Sequence, residues 1–409
     1  MMDEWRKVPL WTLVSEVRSV VDPASLGSTV FHYSIPTLEA SGDGQLEDSS
    51  EIRSAKLRIR GGEVLISKLN PRKSRVVIAS PSGNPVVAST EFVALRPQGV
   101  DPRFLYYLLS SEMTRQSLDA RVQSVTRSHQ RVSPEDIMRL VVSVPERGEQ
   151  QRIADFLDFE LGRTEALKGA KESQIELLRE RAEAVVASEI SKLFDEYGSV
   201  PVRRVWIGIE QGWSPQCEEI DAEPEEWAVL RTSSVSSGVF NPLAHKRLPA
   251  HVKPDLRYVI HDGDLLLTRG SGSPTMVGIA AVADTGQRRL LLSDLLYRLR
   301  LHAEWPASFV AAVLGARPVR DQISLLLRGQ SGQTIKLRGQ DVGEILIPRV
   351  PENMRAMVAM EVASTHATHN HAVGRIRDGL NLMRERRQAL ITAAVAGQVD
   401  LATARGVQP

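Results

Sequence analysis

The sequence predicts an α+β fold in which two β-rich globular domains are separated by two long helices, the whole laid out as an internal repeat. Three observations predict it. The first is self-similarity. "RVSPEDIMRLVVSVPERGEQQRI", starting at Arg131, returns as "KLRGQDVGEILIPRVPENMRAMV", starting at Lys336. Val144-Pro145-Glu146 precedes Val350-Pro351-Glu352 by 206 positions, and "LLRERAEAVV" at Leu177 precedes "LMRERRQALI" at Leu382 by 205. Nearer the front the offset drifts: 201 between "GEVLISKLN" at Gly62 and "GDLLLTRGS" at Gly263, and 192 between Val8-Pro9 and Val200-Pro201. A variable front part followed by a fixed-length back part produces that drift, and such self-similarity is the mark of a repeated architecture. The second observation is helical spacing in the back parts, and the third is strand-like punctuation in the front parts.

Residues 1–147 form the first predicted globular domain. "EVLISKL", "VVIAS", "VVAST" and "FVALRP" read as short strands bounded by Gly, Pro and Ser. A helix follows in "DPRFLYYLLSSEMTRQSL", with Asp101 as N-cap and Pro102 in the first turn. Residues 148–197 form the first long helix. Ile153, Leu157, Leu161, Leu167, Ile175, Leu178, Ala182, Val185, Ile190 and Leu193 recur mostly at three or four, giving one apolar stripe with no Pro to interrupt it. Residues 198–351 repeat the globular plan with "DLLLTRG", "GIAAVAD" and "LLYRLRL", then a helical patch, "EWPASFVAAVLGARPVRDQISLLL". Residues 352–409 hold the second long helix and a tail. Its stripe is Met354, Val358, Val362, Thr365, Ile376, Leu380, Met383, Leu390 and Ala394. Similar stripes on similar lengths predict a coiled-coil pair; the alternative is that each helix packs on its own globular domain. The alternating "IMRLVVSV" and "VGEILIPRV" read as closing strands, with Pro145 and Pro351 ending the strand and opening the helix.

Composition bounds the function. The chain has 409 residues, 42% hydrophobic and 25% charged, which suits two or three globular domains. No apolar run reaches transmembrane length, the N-terminus lacks a signal-peptide core, and Cys217 is the single cysteine. Together these point to the cytoplasm. The net charge of +1 leaves nucleic acid open, because a binding face needs local charge only. Three segments are locally basic: "SKLNPRKSR" from Ser67, "RVQSVTRSHQR" from Arg121 and "RPVRDQISLLLRGQSGQTIKLR" from Arg317. Singly, each reads equally as a solvated face. Their matched placement in the two halves, after the Gly-acid strand and before the shared connector, favours recognition. Arg, Lys, Gln, Asn and Ser are the side chains that reach phosphates and base edges.

Catalytic parts are missing. There is no phosphate loop. "RGSGSPTM" lacks the dinucleotide pattern and reads as a flexible loop. "NPRK" lacks the second Pro and the aromatic of the amino-methyltransferase motif. His366, His369 and His371 have no carboxylate beside them and read as a polar helix face. The chain is expected to be no enzyme and to hold no metal or cofactor.

Taken together, "GEVLISKL" and "GDLLLTRG", the connector "GQSGQTIKLRGQDVGEILIPRVP", its degenerate partner "SVTRSHQRVSPEDIMRLVVSVPERGEQQRIADFLD", and "LMRERRQALITAAVAGQVD" resemble the specificity subunits of type I restriction–modification systems. The resemblance covers nearly the whole chain. It implies two target recognition domains related by a pseudo-twofold repeat, each reading one part of a split site in double-stranded DNA. It implies an antiparallel pair of helices that sets the spacing and docks two methyltransferase subunits, with restriction/translocase subunits joining them. S-adenosylmethionine, ATP and Mg then belong to those partners. The first half departs from the pattern, with Arg127-Ser128-His129-Gln130 in place of Gly-Gln-x-Gly-Gln. The second helix reads "NMRAMVAMEV" where the first reads "QQRIADFLD". The residues expected on DNA are Lys68, Asn70, Arg72, Lys73, Arg127, His129 and Arg131 in the first half, and Arg269, Ser271, Arg328, Gln330, Gln333 and Lys336 in the second. Gln150, Arg152, Arg163, Arg384 and Arg387 are expected on a polar helix face that meets the methyltransferase. A coiled-coil scaffold that binds only protein is the alternative.

Overall fold

A computed structural model describes residues 5–122, 130–327 and 334–400. The chain divides into two compact units, one made of Met1–Glu172 with Arg377–Pro409 and the other of Ser173–Ile376. Each unit therefore takes one half of each long helix.

In the first unit, strand Arg6–Pro9 pairs antiparallel with Val141–Val144. A four-stranded antiparallel sheet follows in the order Val14–Val17, Phe92–Pro97, Val64–Ser67, Val76–Ile78. A five-stranded mixed sheet runs Val20–Val21, Lys56–Ile59, Val86–Ala88, Thr29–Tyr33, Gln45–Asp48. The second unit repeats the plan. Ser199–Pro201 pairs with Leu346–Pro348, and a four-stranded sheet has the order Trp206–Gln211, Leu296–Leu301, Leu265–Thr268, Ala280–Val282. Its other sheet has three strands, His245–Arg247, Trp227–Leu230 and Arg289–Leu291. The repeat read from sequence is thus a repeat of topology.

The Gly-acid signature has a structural cause. Gly62 and Gly263 both take a left-handed conformation, φ 85° and 88°. The acid beside each glycine folds back on the turn. Glu63 accepts from the Gly61 N–H at 2.9 Å and from Arg96 at 2.9 Å. Asp264 accepts from the His261 N–H at 3.0 Å and from the buried Arg298 at 3.1 Å. The turn so capped launches Val64–Ser67 and Leu265–Thr268, every residue of which is buried.

Two short helices pack on each four-stranded sheet: Pro102–Ser110 and Glu112–Asp119, then Ala307–Gly315 and Arg317–Leu326. Asp101 caps the first of them, accepting from the Arg103 and Phe104 N–H groups at 2.9 and 3.2 Å. The connectors depart from the expected single strand. Pro134–Met138 and Gly339–Glu344 are helical turns, and only Val141–Val144 and Leu346–Pro348 pair as strands. Ser133 explains the first, since its Oγ accepts from the Asp136 N–H at 3.0 Å and caps the turn.

The long helices span Arg147–Tyr197 and Glu352–Val395. In the first unit Ile153, Phe156, Leu157 and Leu161 share a core with Ile391, Ala394 and Val395. In the second, Val186 and Ile190 share a core with Val358, Ala359 and Val362. Early residues of one helix meet late residues of the other, so the pairing is antiparallel. Both cores also contain the strands and short helices of their own unit, so pairing and docking on the globular part occur together. The expected unbroken stripe is corrected midway: Leu167 is 51% and Val185 44% exposed, and Val186 is the buried residue instead. Leu178, Ala182, Thr365, Thr368 and Ala372 line a hollow of about 370 Å³ in the second unit, where small and polar side chains leave the helix faces loosely filled.

Candidate nucleic-acid interface

In the first unit the backbone brings the two predicted basic segments together. The Lys68 carbonyl accepts from the Val132 N–H at 3.0 Å, the Asn70 N–H donates to the Gln130 carbonyl at 2.8 Å, and Leu69 bridges to Arg131. These pairs join stretches 60 to 64 positions apart, so "SKLNPRKSR" and the end of "RVQSVTRSHQR" form one surface. A tight turn, Pro71–Lys73, projects from it. Asn70 (φ 49°) and Ser74 (φ 46°) flank the turn in left-handed conformations. Asn tolerates this; Ser pays of order 1 kcal/mol, so the surrounding contacts hold a conformation that the chain does not choose by itself.

Those contacts come from residues with no local sequence signal. Glu39 accepts from Lys73 at 3.1 Å and from Arg75 Nη2 at 2.5 Å, and the Arg75 hydrogen bond, then that of Lys73, holds its carboxyl below the usual range. Arg75 also donates to the Leu69 carbonyl at 3.0 Å. Glu91 accepts from Arg131 at 2.8 Å. The turn leaves Arg72 and Lys73 exposed and Lys68 and Asn70 half-buried.

The second unit shows the same convergence. Gly270 pairs with Lys336 and Ser271 with Ile335, and the Leu337 N–H donates to the Arg269 carbonyl at 2.8 Å. Gly270 permits the approach, because a Cβ there would sit 3.2 Å from the Leu295 side chain and 3.3 Å from that of Lys336. Lys336 is exposed and Ser271 half-buried, its Oγ accepting from the Ser273 N–H at 3.2 Å. Arg269, expected on DNA, is half-buried and bonded within the unit. Its Nε donates to the Tyr297 hydroxyl and its Nη1 to the Asp294 carbonyl, both at 3.2 Å, and its guanidinium lies 5.8 Å from the Tyr297 ring centre. Tyr297 in turn donates to the Leu337 carbonyl at 3.1 Å. Arg269 thus ties the converging segments together. Arg127, His129, Arg328, Gln330 and Gln333 lie outside the described residues.

The predicted partner-facing residues separate. Gln150 is buried at 2% exposure: it accepts from the Asp101 N–H at 2.8 Å and donates to the Pro145 carbonyl at 2.9 Å, so it locks the helix to the sheet and is no surface residue. Arg152 is exposed. Arg163 lies over Phe159 and 3.3 Å from Glu160, while Arg384 donates to Asn381 at 3.3 Å. Arg387 lies 3.7 Å from Glu165 across the helix pair of the first unit. Among the described residues no group of three or more His, Cys, Asp or Glu side chains is placed to hold a metal ion.

Residues 33–177 match the family described as the type I restriction modification DNA specificity domain. Two curated relatives come from Escherichia coli. The type I restriction enzyme EcoEI specificity subunit is 22% identical over 246 residues, 57% of this chain and 41% of that protein. The EcoKI specificity subunit, from strain K12, is 23% identical over 277 residues, 66% of this chain and 60% of that protein. Over these stretches the chain is similar to type I restriction–modification specificity subunits. Its matches span less than two thirds of these relatives' lengths. A solved chain, from work on complex assembly and conformational transition of the type I R-M system, superposes with a TM-score of 0.73. It covers 97% of this chain and 98% of that one at 14% identity, a likeness of fold. The family match takes in the Pro71–Lys73 turn and the start of the first long helix.

Proposed function

We propose that the chain is the DNA-reading subunit of a type I restriction–modification complex, each unit reading one part of a split site. The observation that carries this reading is the convergence, in both units, of two sequence-distant basic segments through backbone pairing. The Pro71–Lys73 turn and the loop after Ser271 enter the major groove, where the four base pairs are distinguishable. Lys68, Arg72, Lys73 and Lys336 supply phosphate contacts. The polar faces around Arg152, Arg163, Arg384 and Arg387 receive the methyltransferase subunits, with restriction/translocase subunits outside them, in the cytoplasm. The chain itself catalyses nothing; S-adenosylmethionine, ATP and Mg serve the partners. Among the described residues no helix is long and apolar enough to cross a membrane.

The test is DNA affinity of the chain with its methyltransferase subunits over a salt series. Each neutralised phosphate contributes a slope of about −0.9 to log K against log salt, so a steep negative slope is expected. An affinity indifferent to salt would overturn the reading in favour of a scaffold that binds only protein.

A further inference from the structure

We propose that Arg320 is a specificity-positioning residue: it fixes the shape of the loop between Ser271 and Gly278, and through that loop the base preference of the second unit. This rests on the DNA reading above.

The loop leaves the sheet after Thr268 and returns to it at Ala280. Its base is closed by the Gly278 N–H donating to the Thr268 carbonyl at 2.7 Å, and its start by Ser271 pairing with Ile335. Inside the loop the bonds among the described residues are short-range, such as Ser273 Oγ with Thr275 Oγ1 at 2.9 Å. Pro274, Thr275 and Met276 at its tip are exposed, while Val277 behind them is buried in the core. Arg320 reaches the tip from outside, its Nη2 donating to the Thr275 carbonyl at 3.0 Å.

The platform under Arg320 is rigid. Its helix, Arg317–Leu326, is anchored in the core by Val319 and Ile323, both fully buried. Arg320 Nη1 is itself buried and has no hydrogen-bond partner. A Cβ on Gly278 would lie 3.2 Å from that nitrogen and 2.9 Å from Ile323 Cγ2. The guanidinium is thus wedged between helix and loop, and it spends desolvation on a single carbonyl. A buried guanidinium nitrogen left unpaired costs free energy.

The first unit carries an echo. Arg115 stands 205 positions earlier, the offset of the connectors and long helices, on the equivalent helix. Its Nη1 points to the Arg72 carbonyl at 3.5 Å, on the turn after the equivalent strand. There the brace is weaker, because Nε donates to Glu112 at 2.7 Å and Glu39 already grips the turn. Position 317, the counterpart of Glu112, is Arg, so Arg320 has no such competitor.

The experiment compares wild type, Arg320→Met and Arg115→Met, each as the full chain with its methyltransferase subunits, by selection from a randomised duplex library. Amide deuterium exchange across 271–278 and thermal melting are measured alongside. Arg320→Met is expected to raise exchange in the loop and to lose about tenfold discrimination, the scale of one good base contact, in one half of the selected motif only. Arg115→Met is expected to blur the other half, and less. Wild-type exchange with a wild-type motif in Arg320→Met overturns the proposal, as does equal loss in both halves with a lowered melting temperature. Should Arg320→Met not fold, Arg320→Lys takes its place: one ammonium cannot fill both guanidinium positions, so loop exchange must still rise, and no rise overturns the brace. A wild-type chain that enriches no motif overturns the DNA reading, while the exchange measurement still reports on the brace.

Discussion

Lys68 and Arg269 occupy the same place, the end of the strand launched by the Gly-acid turn, yet their side chains do different work. Lys68 is half-buried, whereas the Arg269 guanidinium donates to Tyr297 and Asp294. Arg72→Ala and Lys68→Ala should each lower the salt slope of DNA binding by about one and weaken all sequences alike, read by titration on two unrelated duplexes. Arg269→Ala should leave the slope unchanged and lower stability by about 1–2 kcal/mol, because it orphans the Tyr297 and Asp294 partners. Gln150 makes the same point for the helix. It was legible as a polar residue on a helix, and polar residues are mostly exposed. What removes it from the surface is the Asp101 N–H, 49 positions away, which no local pattern reveals. Gln150→Ala leaves that N–H and the Pro145 carbonyl unpaired, and unfolding by denaturant should show a loss of about 1–3 kcal/mol with DNA contacts untouched.

At the scale of elements, punctuation was readable and partnership was not. Glycine with an acid, Asp-Pro before an apolar run, and Val-Pro-Glu before a helix each encode a bond within four residues, and each appears where the sequence placed it. Asp101→Ala should therefore cost the helix Pro102–Ser110 roughly 1 kcal/mol, seen as a lower melting temperature. The connectors misled because their alternation is too short to separate a strand from a capped helical turn. Ser133 and Pro134 were the signal: a hydroxyl cap followed by proline in the first turn. The long helices were legible as helices from 3.6 periodicity, but their buried face changes along their length. Leu167 faces solvent because the burial near it is supplied by the globular core only at the helix ends. The recognition surface was half legible. Matched basic segments marked it, whereas Glu39, Glu91 and Tyr297, which give it shape, come from a helix, a turn and a strand elsewhere in the chain.

For the whole molecule, a net charge of +1 excludes a strong overall field that draws in DNA. On the proposed reading, affinity comes from the few cations on the loops, and selectivity from requiring two separate half-sites at a fixed gap. The gap needs a stiff element. The first long helix supplies 51 residues without a proline, about 75 Å at ~1.5 Å per residue, and the second supplies 44. Both compact units draw on the same two helices, dividing them after Glu172 and after Ile376. Four extra helical residues between Glu172 and Ser173, matched by four between Ile376 and Arg377, add about 6 Å of rise, near two base pairs at ~3.4 Å each. Each terminal core keeps its own residues, Ile153 to Leu161 with Ile391 to Val395 and Val186 to Ile190 with Val358 to Val362. The half-sites should therefore be unchanged. Mapping of modified bases in a host carrying the lengthened chain should show the same two half-sites with the gap about two base pairs wider. The original gap, kept unchanged with full modification, would mean that the helices do not measure the site.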